Sequence, residues 1–374
     1  MTTAPISLTA SASDVRGRLL EFMLVGGATF FLFPLAWLLR QVLGLDTAEL
    51  AVGFLMFHGA HLINDPHFSV TYLLFYKDAR RRAFGDAWSP AQRWRYWFAG
   101  LVVPLGLALW AGFALRSKSA ESMGLLIQLM FLLVGWHYVK QGFGVLSVLS
   151  ARRGVRFDSR ERRVILAHCF VGWAYAWASP ADPGKVVEES GVVFSMLPHP
   201  LWLERLTQAA FWSSALVLGA VLFAKWRRER RLPPLAPLSA LLVSVWLWMV
   251  YSSLDPLMVY MIPALHSIQY LYFVWLLRRN EARANEGPPS FGRPAAVQVG
   301  ILALSAVALG FVLLRGVPAL FDGAFGSSAD EGGIGATPYF AAIYTFVNIH
   351  HYFMDSVIWR RDNPETRHLL AAAD

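Results

Sequence analysis

The feature that most constrains the fold is a series of apolar stretches, each with one charged residue or none. Each runs for about 20 residues, which is the length of a helix that crosses the hydrocarbon core of a bilayer. Only 16% of all residues are charged and 56% are hydrophobic, whereas about a quarter of a soluble domain is charged. The sequence therefore predicts an all-α, polytopic integral membrane protein and excludes a soluble class.

The apolar stretches predict about ten transmembrane helices in a single transmembrane domain that covers residues 1–374. We expect them near residues 20–42, 48–76, 96–115, 123–149, 163–179, 207–225, 237–254, 256–278, 296–315 and 337–359. Arginine and lysine concentrate in the loops after the even-numbered helices, and such loops stay on the cytoplasmic side. Both termini are thus predicted to be cytoplasmic, with residues 1–18 and 362–374 as tails.

The longest predicted connection, residues 180–206, contains four prolines and an apolar piece, Val192 to Leu197, that is too short to cross a membrane. We expect this connection to form a cap on the outer surface. The net charge of +8 is assigned to loops at the lipid headgroups, so no nucleic-acid partner is expected. Cys169 is the single cysteine, which excludes an internal disulfide and a metal site built from cysteines.

Histidines concentrate on the predicted helices two, four, eight and ten. They are His58, His61, His67, His137, His266, His350 and His351. Counted back from the basic loops, those from His61 onward fall in one layer, roughly 14–24 Å below the cytoplasmic face. Ionisable groups at such depth are expensive and rarely face lipid. Residues far apart in the sequence are therefore predicted to meet at one centre.

Local spacing supports this centre. His58 and His61 are three residues apart, and His61 and Asp65 are four apart, so they share a helix face. We expect Pro66 to kink the helix and to turn His67 toward the same centre. Imidazole is the commonest metal ligand and suits zinc, copper, iron and nickel. All seven clustered histidines are therefore candidate ligands.

Carboxylates and amides near metal-bound histidines usually accept the other ring N–H. Asp65 and Asp355 are candidate ligands or orienting groups, and with Tyr270 they are the candidate catalytic residues. His168, His199 and His368 stand alone and are interpreted as packing or surface residues. We expect the His350→Ala and His351→Ala variants to lose metal, and the His199→Ala and His368→Ala variants to keep it.

Three segments resemble a known family. They are His58-Gly59-Ala60 followed by Asp65, His266-Ser267 running on to Phe273-Val274-Trp275, and His350-His351 followed by Asp355 and Arg360. This pattern is similar to that of the Brp/Blh family of membrane β-carotene 15,15′-dioxygenases, in which a second histidine replaces Tyr270. The resemblance implies an iron-dependent enzyme of a bacterial inner membrane that cleaves a carotenoid with O₂.

We therefore expect a membrane oxygenase with one or two non-haem iron ions and a lipophilic substrate that enters from the bilayer. The reaction is carotenoid cleavage, or lipid hydroxylation or desaturation with an electron donor as partner. Two alternatives remain at this stage. One is a haem-binding electron-transfer protein, and the other is a proton or metal-ion transporter.

Overall fold

The chain folds into a helical bundle, seen in a computed structural model that describes residues 12–178, 185–231, 233–326 and 333–370. The structure is 82% helical, so the all-α prediction is confirmed. The α-helices are α1 Ala12–Phe22, α2 Thr29–Leu43, α3 Leu45–Tyr76, α4 Ala79–Phe84, α5 Pro90–Trp97, α6 Val103–Arg116, α7 Ala120–Arg152, α8 Ser159–Ala178, α9 Leu201–Glu229, α10 Leu235–Leu242, α11 Pro256–Ala284, α12 Ala295–Phe311, α13 Val317–Phe325 and α14 Pro338–Ile358.

Short segments of other geometry join these helices. The π-helical segments are Met23–Gly27, Phe98–Val102, Val243–Val250 and Val312–Gly316, and the 3₁₀ segments are Ser252–Leu254 and Pro364–Leu370. Two of the π segments lie just before a proline, Pro104 and Pro318, that has no N–H to donate. The backbone hydrogen bond that this N–H would donate is therefore missing in each case, and π segments of this kind are frequent at functional sites.

Five helical stretches are long and apolar enough to cross a membrane. They are Pro90–Arg116, Ala120–Arg152, Leu201–Glu229, Pro256–Ala284 and Ala295–Phe325. A bent pair of helices would raise this number to six if it forms one span. The pair consists of Val15–Gly27 and Thr29–Leu43, which meet at a bend of 60°. The predicted count of ten therefore stays a prediction. Helices α3 and α14 are long, but their histidines and aspartates make them more polar.

The basic loops meet at one end of the bundle. Nζ of Lys77, after α3, lies 3.3 Å from a carboxylate oxygen of Glu281 on α11. Arg82 pairs at 2.5 Å with Glu365, which follows α14. The Arg152 guanidinium donates to the Leu369 carbonyl at 2.8 Å. Loops that are distant in the sequence thus share one arginine-rich end.

At the opposite end lies a β-hairpin, where the sequence predicted a cap. Strands β1 Val186–Glu189 and β2 Val192–Ser195 pair in antiparallel register. Phe194 packs so closely on α7 that a Cβ on Gly124 would lie 2.4 Å from the Phe194 Cβ atom. The connection ends earlier than predicted, because α9 begins at Leu201, directly after Pro200.

Other predicted segments lie partly beyond the described residues. Residues 180–184 of the predicted cap are outside the described part, as are residues 1–11 of the predicted N-terminal tail and residues 371–374 of the predicted C-terminal tail. Residues 12–18 of the predicted N-terminal tail belong to α1, and the other tail includes the 3₁₀ segment Pro364–Leu370.

Helices α7 and α11 form the interior of the bundle, while α9 and α12 lie at its periphery. In the most apolar windows, 50% of the residues of α7 and 61% of those of α11 are buried, against 11% for α9 and 17% for the stretch Ala295–Phe325 that begins with α12. Gly310 lets α12 approach α3 closely, since a Cβ there would lie 2.7 Å from the Asp65 backbone. Ser69 on α3 donates to the Ala306 carbonyl of α12 at 2.5 Å.

Candidate metal centre

Four helices each bring one buried histidine to the middle of the bundle. The four are His67 on α3, His137 on α7, His266 on α11 and His351 on α14. The ring centroids of His67 and His351 are 4.4 Å apart, and those of His137 lie 4.9 Å from both His266 and His351. Residues up to 284 positions apart in the chain, the separation of His67 from His351, thus form one compact cluster.

The nitrogens of this cluster converge. His67, His137 and His351 each offer a ring nitrogen, and these three atoms all lie within 4.8 Å of one another. The Nε2 atom of His266 lies 3.0 Å from the Nε2 atom of His137. Two ligands about 2.1 Å from one ion and at right angles are separated by about 3.0 Å. The spacing of these imidazoles therefore fits a shared transition-metal ion.

Several buried polar atoms at this centre have no hydrogen-bonding partner among the described residues. They are His67 Nε2, His266 Nδ1, Asp355 Oδ2 and both ring nitrogens of His351. Each unpartnered buried polar atom costs about 1–3 kcal/mol. So many in one place indicate a centre built for a cation rather than for packing.

Asp355 is held so that one carboxylate oxygen faces the imidazoles. Its Oδ1 atom accepts hydrogen bonds from the Tyr270 hydroxyl at 2.7 Å and from Nε1 of Trp359 at 3.2 Å. Its Oδ2 atom lies 3.4 Å from Nε2 of His351 and 3.7 Å from Nε2 of His137. The structure thus brings Asp355 and Tyr270, both singled out in the sequence, next to the clustered histidines.

His67 is oriented by a serine. Its Nδ1 atom lies 3.0 Å from the Ser267 hydroxyl oxygen, which leaves Nε2 directed away from that contact. A ring N–H held in this way fixes the tautomer and the ring orientation of a metal-binding histidine. Ser267 directly follows His266 in the sequence, so one turn of α11 contributes both an imidazole and an orienting hydroxyl.

Aromatic rings enclose the histidines, and sequence reasoning did not identify them. Tyr138 stacks on His266 with ring centroids 4.1 Å apart, and Tyr352 stacks on His137 at 4.9 Å. Each tyrosine directly follows a clustered histidine in the chain and packs on an imidazole from another helix. This His-Tyr adjacency, at positions 137–138 and 351–352, was the signal available in the sequence.

Two glutamines support the backbone beside the centre. Gln141 donates to Oε1 of Gln269 at 2.7 Å and lies 3.3 Å from the His266 carbonyl. Gln269 in turn donates to the Val25 carbonyl at 2.6 Å. Val25 lies in the π segment Met23–Gly27, where Gly26 adopts a φ of 133° that disfavours any side chain. This contact ties the bend between α1 and α2 to α11.

His350 lies outside the cluster, which corrects the prediction that it is a ligand. Its Nε2 atom lies 3.0 Å from the Ala99 carbonyl, and its Nδ1 atom lies 3.0 Å from the Tyr72 hydroxyl. A carbonyl only accepts, so Nε2 carries the proton and Nδ1 accepts from Tyr72. The Ala99 carbonyl can accept from His350 because no backbone N–H of its own helix bonds to it. The Val103 N–H donates to the Phe98 carbonyl, and Pro104 has no N–H.

His58, His61 and Asp65 also lie elsewhere, which corrects their assignment to the same centre. His58 is exposed and packs against Phe54, with ring centroids 4.2 Å apart. Asp65 lies 3.4 Å from Nε of Arg315, in the π segment Val312–Gly316. Helix α3 continues through Pro66. At about 100° per residue, His58 and His67 therefore point to opposite sides of α3.

The solitary histidines have other surroundings. Both nitrogens of His168 are partnered, by the Ser214 hydroxyl at 2.9 Å and by Nε1–H of Trp246 at 3.1 Å. His199 packs on Trp177, with ring centroids 4.2 Å apart. These positions fit their interpretation as packing residues.

The chain was compared with known proteins at the levels of family, sequence and structure. No protein-family model, no curated protein and no solved structure matches it.

Proposed function

We propose that this protein is a membrane-embedded non-haem iron oxygenase that acts on a lipophilic substrate. The observation that supports this proposal is the convergence of buried imidazoles from four helices. Ring nitrogens of His67, His137 and His351 lie within 4.8 Å of one another, and those of His67 and His351 include atoms without a hydrogen-bonding partner among the described residues. His67, His137, His266 and His351 would hold the metal, and Asp355 would be a further ligand or would orient His351. Iron fits a set of neutral imidazoles with a carboxylate, a donor set that also accommodates other transition metals.

The protein's own residues have defined roles in this proposal. One or two bound iron ions would supply the capacity to activate O₂. Ser267 keeps the proton of His67 on Nδ1, so that Nε2 is free to bind. Tyr270 and Trp359 hold Asp355 by its Oδ1 atom and leave Oδ2 directed at the imidazoles. Tyr138 and Tyr352 cover the rings and restrict access of water to the centre.

The geometry disfavours a haem protein. A haem with two histidine ligands needs its imidazoles on opposite faces of a wide, flat slot. Here the imidazole rings lie close together, with centroids 4.4 to 6.3 Å apart. No space for a macrocycle lies between them. Oxygen chemistry at a polyhistidine centre is therefore preferred to electron transfer by haem.

The substrate class follows from the surroundings of the centre. The site lies within apolar helices, and a substrate that enters from the bilayer must itself be lipophilic. Carotenoid cleavage is favoured by the resemblance to the Brp/Blh family, and this reaction places both oxygen atoms of O₂ on the two products. Hydroxylation or desaturation would instead require two electrons from a separate donor.

The proposal includes the orientation of the chain. Ten spans with both termini in the cytoplasm agree with the arginine-rich loops meeting at one end. The location is a bacterial inner membrane. Reporter fusions at residues 225–231 and 151–163 should report the same side, and opposite sides would contradict the proposed topology.

Metal analysis and turnover test the function together. Detergent-purified protein, reconstituted with ferrous iron, should consume O₂ in the presence of β-carotene and release an aldehyde product. Consumption with fatty acyl lipid and a reductant would instead identify a hydroxylase or desaturase. Iron binding without O₂ consumption, combined with iron flux across proteoliposomes, would refute an oxygenase and indicate a transporter.

A further inference from the structure

The buried hydroxyl of Tyr270 on α11 has three polar neighbours, although one partner satisfies a buried phenol. It donates to Oδ1 of Asp355 at 2.7 Å, lies 2.6 Å from Oγ1 of Thr71 and accepts from Nε1 of Trp359 at 3.2 Å. A phenol has one proton, and here Asp355 receives it, so Thr71 must donate in the 2.6 Å contact. Tyr270 thus has one acceptor for its proton and two donors to its oxygen.

This arrangement suits the joint loss of a proton and an electron from Tyr270. The proton has a carboxylate in direct contact, and the oxygen left behind keeps two hydrogen-bond donors. Transfer of the proton alone would leave a negative charge buried in the pair. Loss of an electron as well leaves a neutral phenoxyl beside a neutral carboxylic acid, and removing a charge from a buried site is favourable.

Aromatic rings continue from Tyr270 in two directions. Toward the metal centre, its ring centroid lies 4.4 Å from that of His67 and 5.5 Å from that of His351. In the other direction, the Trp359 ring lies 5.5 Å away and nearly perpendicular. Trp359 is the half-buried C-cap of α14 and precedes Arg360 at the arginine-rich end. Two side chains that can be oxidised by one electron therefore lie between the centre and that end.

Tyr272, two residues further along α11, has only some of these features. Its hydroxyl donates to Oε2 of Glu21 at 3.2 Å, and its ring stacks on Trp275 with centroids 5.8 Å apart. It is half-buried, and among the residues that the structure describes no histidine ring contacts it. A tyrosine with a carboxylate and an indole beside it thus occurs twice on α11, and the one at Tyr270 adjoins the histidines.

We propose that Tyr270 and Trp359 form a one-electron relay between the metal centre and the arginine-rich end. Tyr270 gives one electron to the centre, and its phenolic proton moves to Oδ1 of Asp355. Trp359 then returns an electron to Tyr270, and the proton moves back from Asp355. A one-electron reductant at the arginine-rich end, such as a reduced iron–sulfur protein, refills Trp359. Each cycle moves one electron and no net proton.

The relay rests on the proposed function only for the electron acceptor, where O₂ is the terminal oxidant. Two cycles supply the two electrons that hydroxylation or desaturation requires. The chemistry of Tyr270, Asp355 and Trp359 can therefore be tested without iron and without O₂.

Flash oxidation followed by electron paramagnetic resonance makes this test. The full chain is purified in detergent, loaded with zinc, which has no redox chemistry, and oxidised by photogenerated tris(bipyridine)ruthenium(III) in solution. This oxidant should draw an electron from Trp359 and, through it, from Tyr270. Wild type should show a long-lived neutral tyrosyl radical, whose spectrum changes when the tyrosines are ring-deuterated. Tyr270→Phe should lose this signal.

Three further variants separate the steps. Trp359→Phe should lose the radical because the route is interrupted, and Asp355→Asn should lose it because an amide does not take up the phenolic proton. Tyr272→Phe is the matched control and should keep the wild-type signal. A long-lived radical that persists in Tyr270→Phe, one that is lost in Tyr272→Phe, or one that is undiminished in Trp359→Phe would overturn the proposal.

The relay and the oxygenase can fail separately. O₂ consumption by the iron-loaded protein, combined with the absence of a Tyr270 radical in the zinc-loaded protein, would refute the relay and leave the oxygenase in place. A Tyr270 radical that forms through Trp359 in a protein that consumes no O₂ would support the relay and refute the oxygenase.

Discussion

His168 and His351 are both fully buried between helices, but their ring nitrogens have different surroundings. Trp246 and Ser214 partner both nitrogens of His168. Neither nitrogen of His351 has a hydrogen-bonding partner in the described structure, while a carboxylate oxygen and two further imidazoles face it. Burial alone therefore does not distinguish a packing histidine from a metal ligand. What distinguishes His351 from His168 is hydrogen-bonding capacity left unused beside other potential ligand groups.

The largest difference between the two regions should appear on deleting each imidazole. His351→Ala is expected to lose its bound metal, because the three remaining imidazoles no longer complete the centre. The metal-free fold should persist, since the lost ring had no hydrogen bonds. His168→Ala should keep the metal but lower thermal stability, because it leaves two buried partners unpaired. Elemental analysis measures the metal content of both variants, and thermal unfolding measures their stability. Metal loss in His168→Ala but not in His351→Ala would contradict the assignment of His351 as a ligand.

Asp355→Asn should have the next largest effect. The asparagine Oδ1 atom can still accept from Tyr270 and Trp359, so an N–H donor would then face the imidazoles instead of a carboxylate oxygen. Such a change beside a metal-bound histidine typically costs about 10–100-fold in metal affinity. Competition with a metal chelator gives the dissociation constant. Wild-type affinity in this variant would exclude a role for Asp355 at the centre.

Ser267→Ala should lower metal affinity less, by about tenfold. The variant removes the hydroxyl that fixes the Nδ1 proton of His67 and leaves every proposed ligand in place. Ser239→Ala is the matched control, because Ser239 is a buried serine on α10 whose hydroxyl donates to the Ala236 carbonyl. The same chelator competition should show no change for the control, and an equal loss in both variants would reduce the Ser267 effect to general packing.

His350→Ala should leave metal affinity unchanged, in contrast to its neighbour His351. Its loss leaves the Ala99 carbonyl and the Tyr72 hydroxyl without partners, which should lower the free energy of unfolding by about 1–3 kcal/mol. Tyr72→Phe removes only one of the two hydrogen bonds and should destabilise less. Chemical unfolding in detergent measures both variants. A His350→Ala protein that loses its metal would restore His350 as a ligand.

The sequence predicted the main features of the centre through membrane depth. Counting from the arginine-rich loops placed His67, His137, His266 and His351 in one layer, and the structure brings all four together. The helical spacing of His351 and Asp355 likewise placed them on one face. Depth and periodicity are properties of a single helix and can be read from its sequence.

The sequence did not predict which side of each helix faces the interior. His350 has the correct depth but turns toward Ala99, whose carbonyl is free only because Pro104 interrupts the hydrogen bonding of a neighbouring helix. His58 was assigned to the side of His67 because a kink at Pro66 was expected, yet α3 continues through Pro66 as one helix, and nine residues of helix place the two side chains on opposite sides. Both errors concern contacts between helices, which local spacing does not encode.

X-ray absorption at the iron edge of the reconstituted, detergent-purified protein tests the central claim most directly. The account predicts at least three imidazole ligands with iron–nitrogen distances of about 2.1 Å, in wild type and in His168→Ala. It also predicts that this imidazole signal disappears in His351→Ala. A spectrum without imidazole scattering in the wild type, or one that is unchanged in His351→Ala, would contradict the claim that these histidines bind the metal.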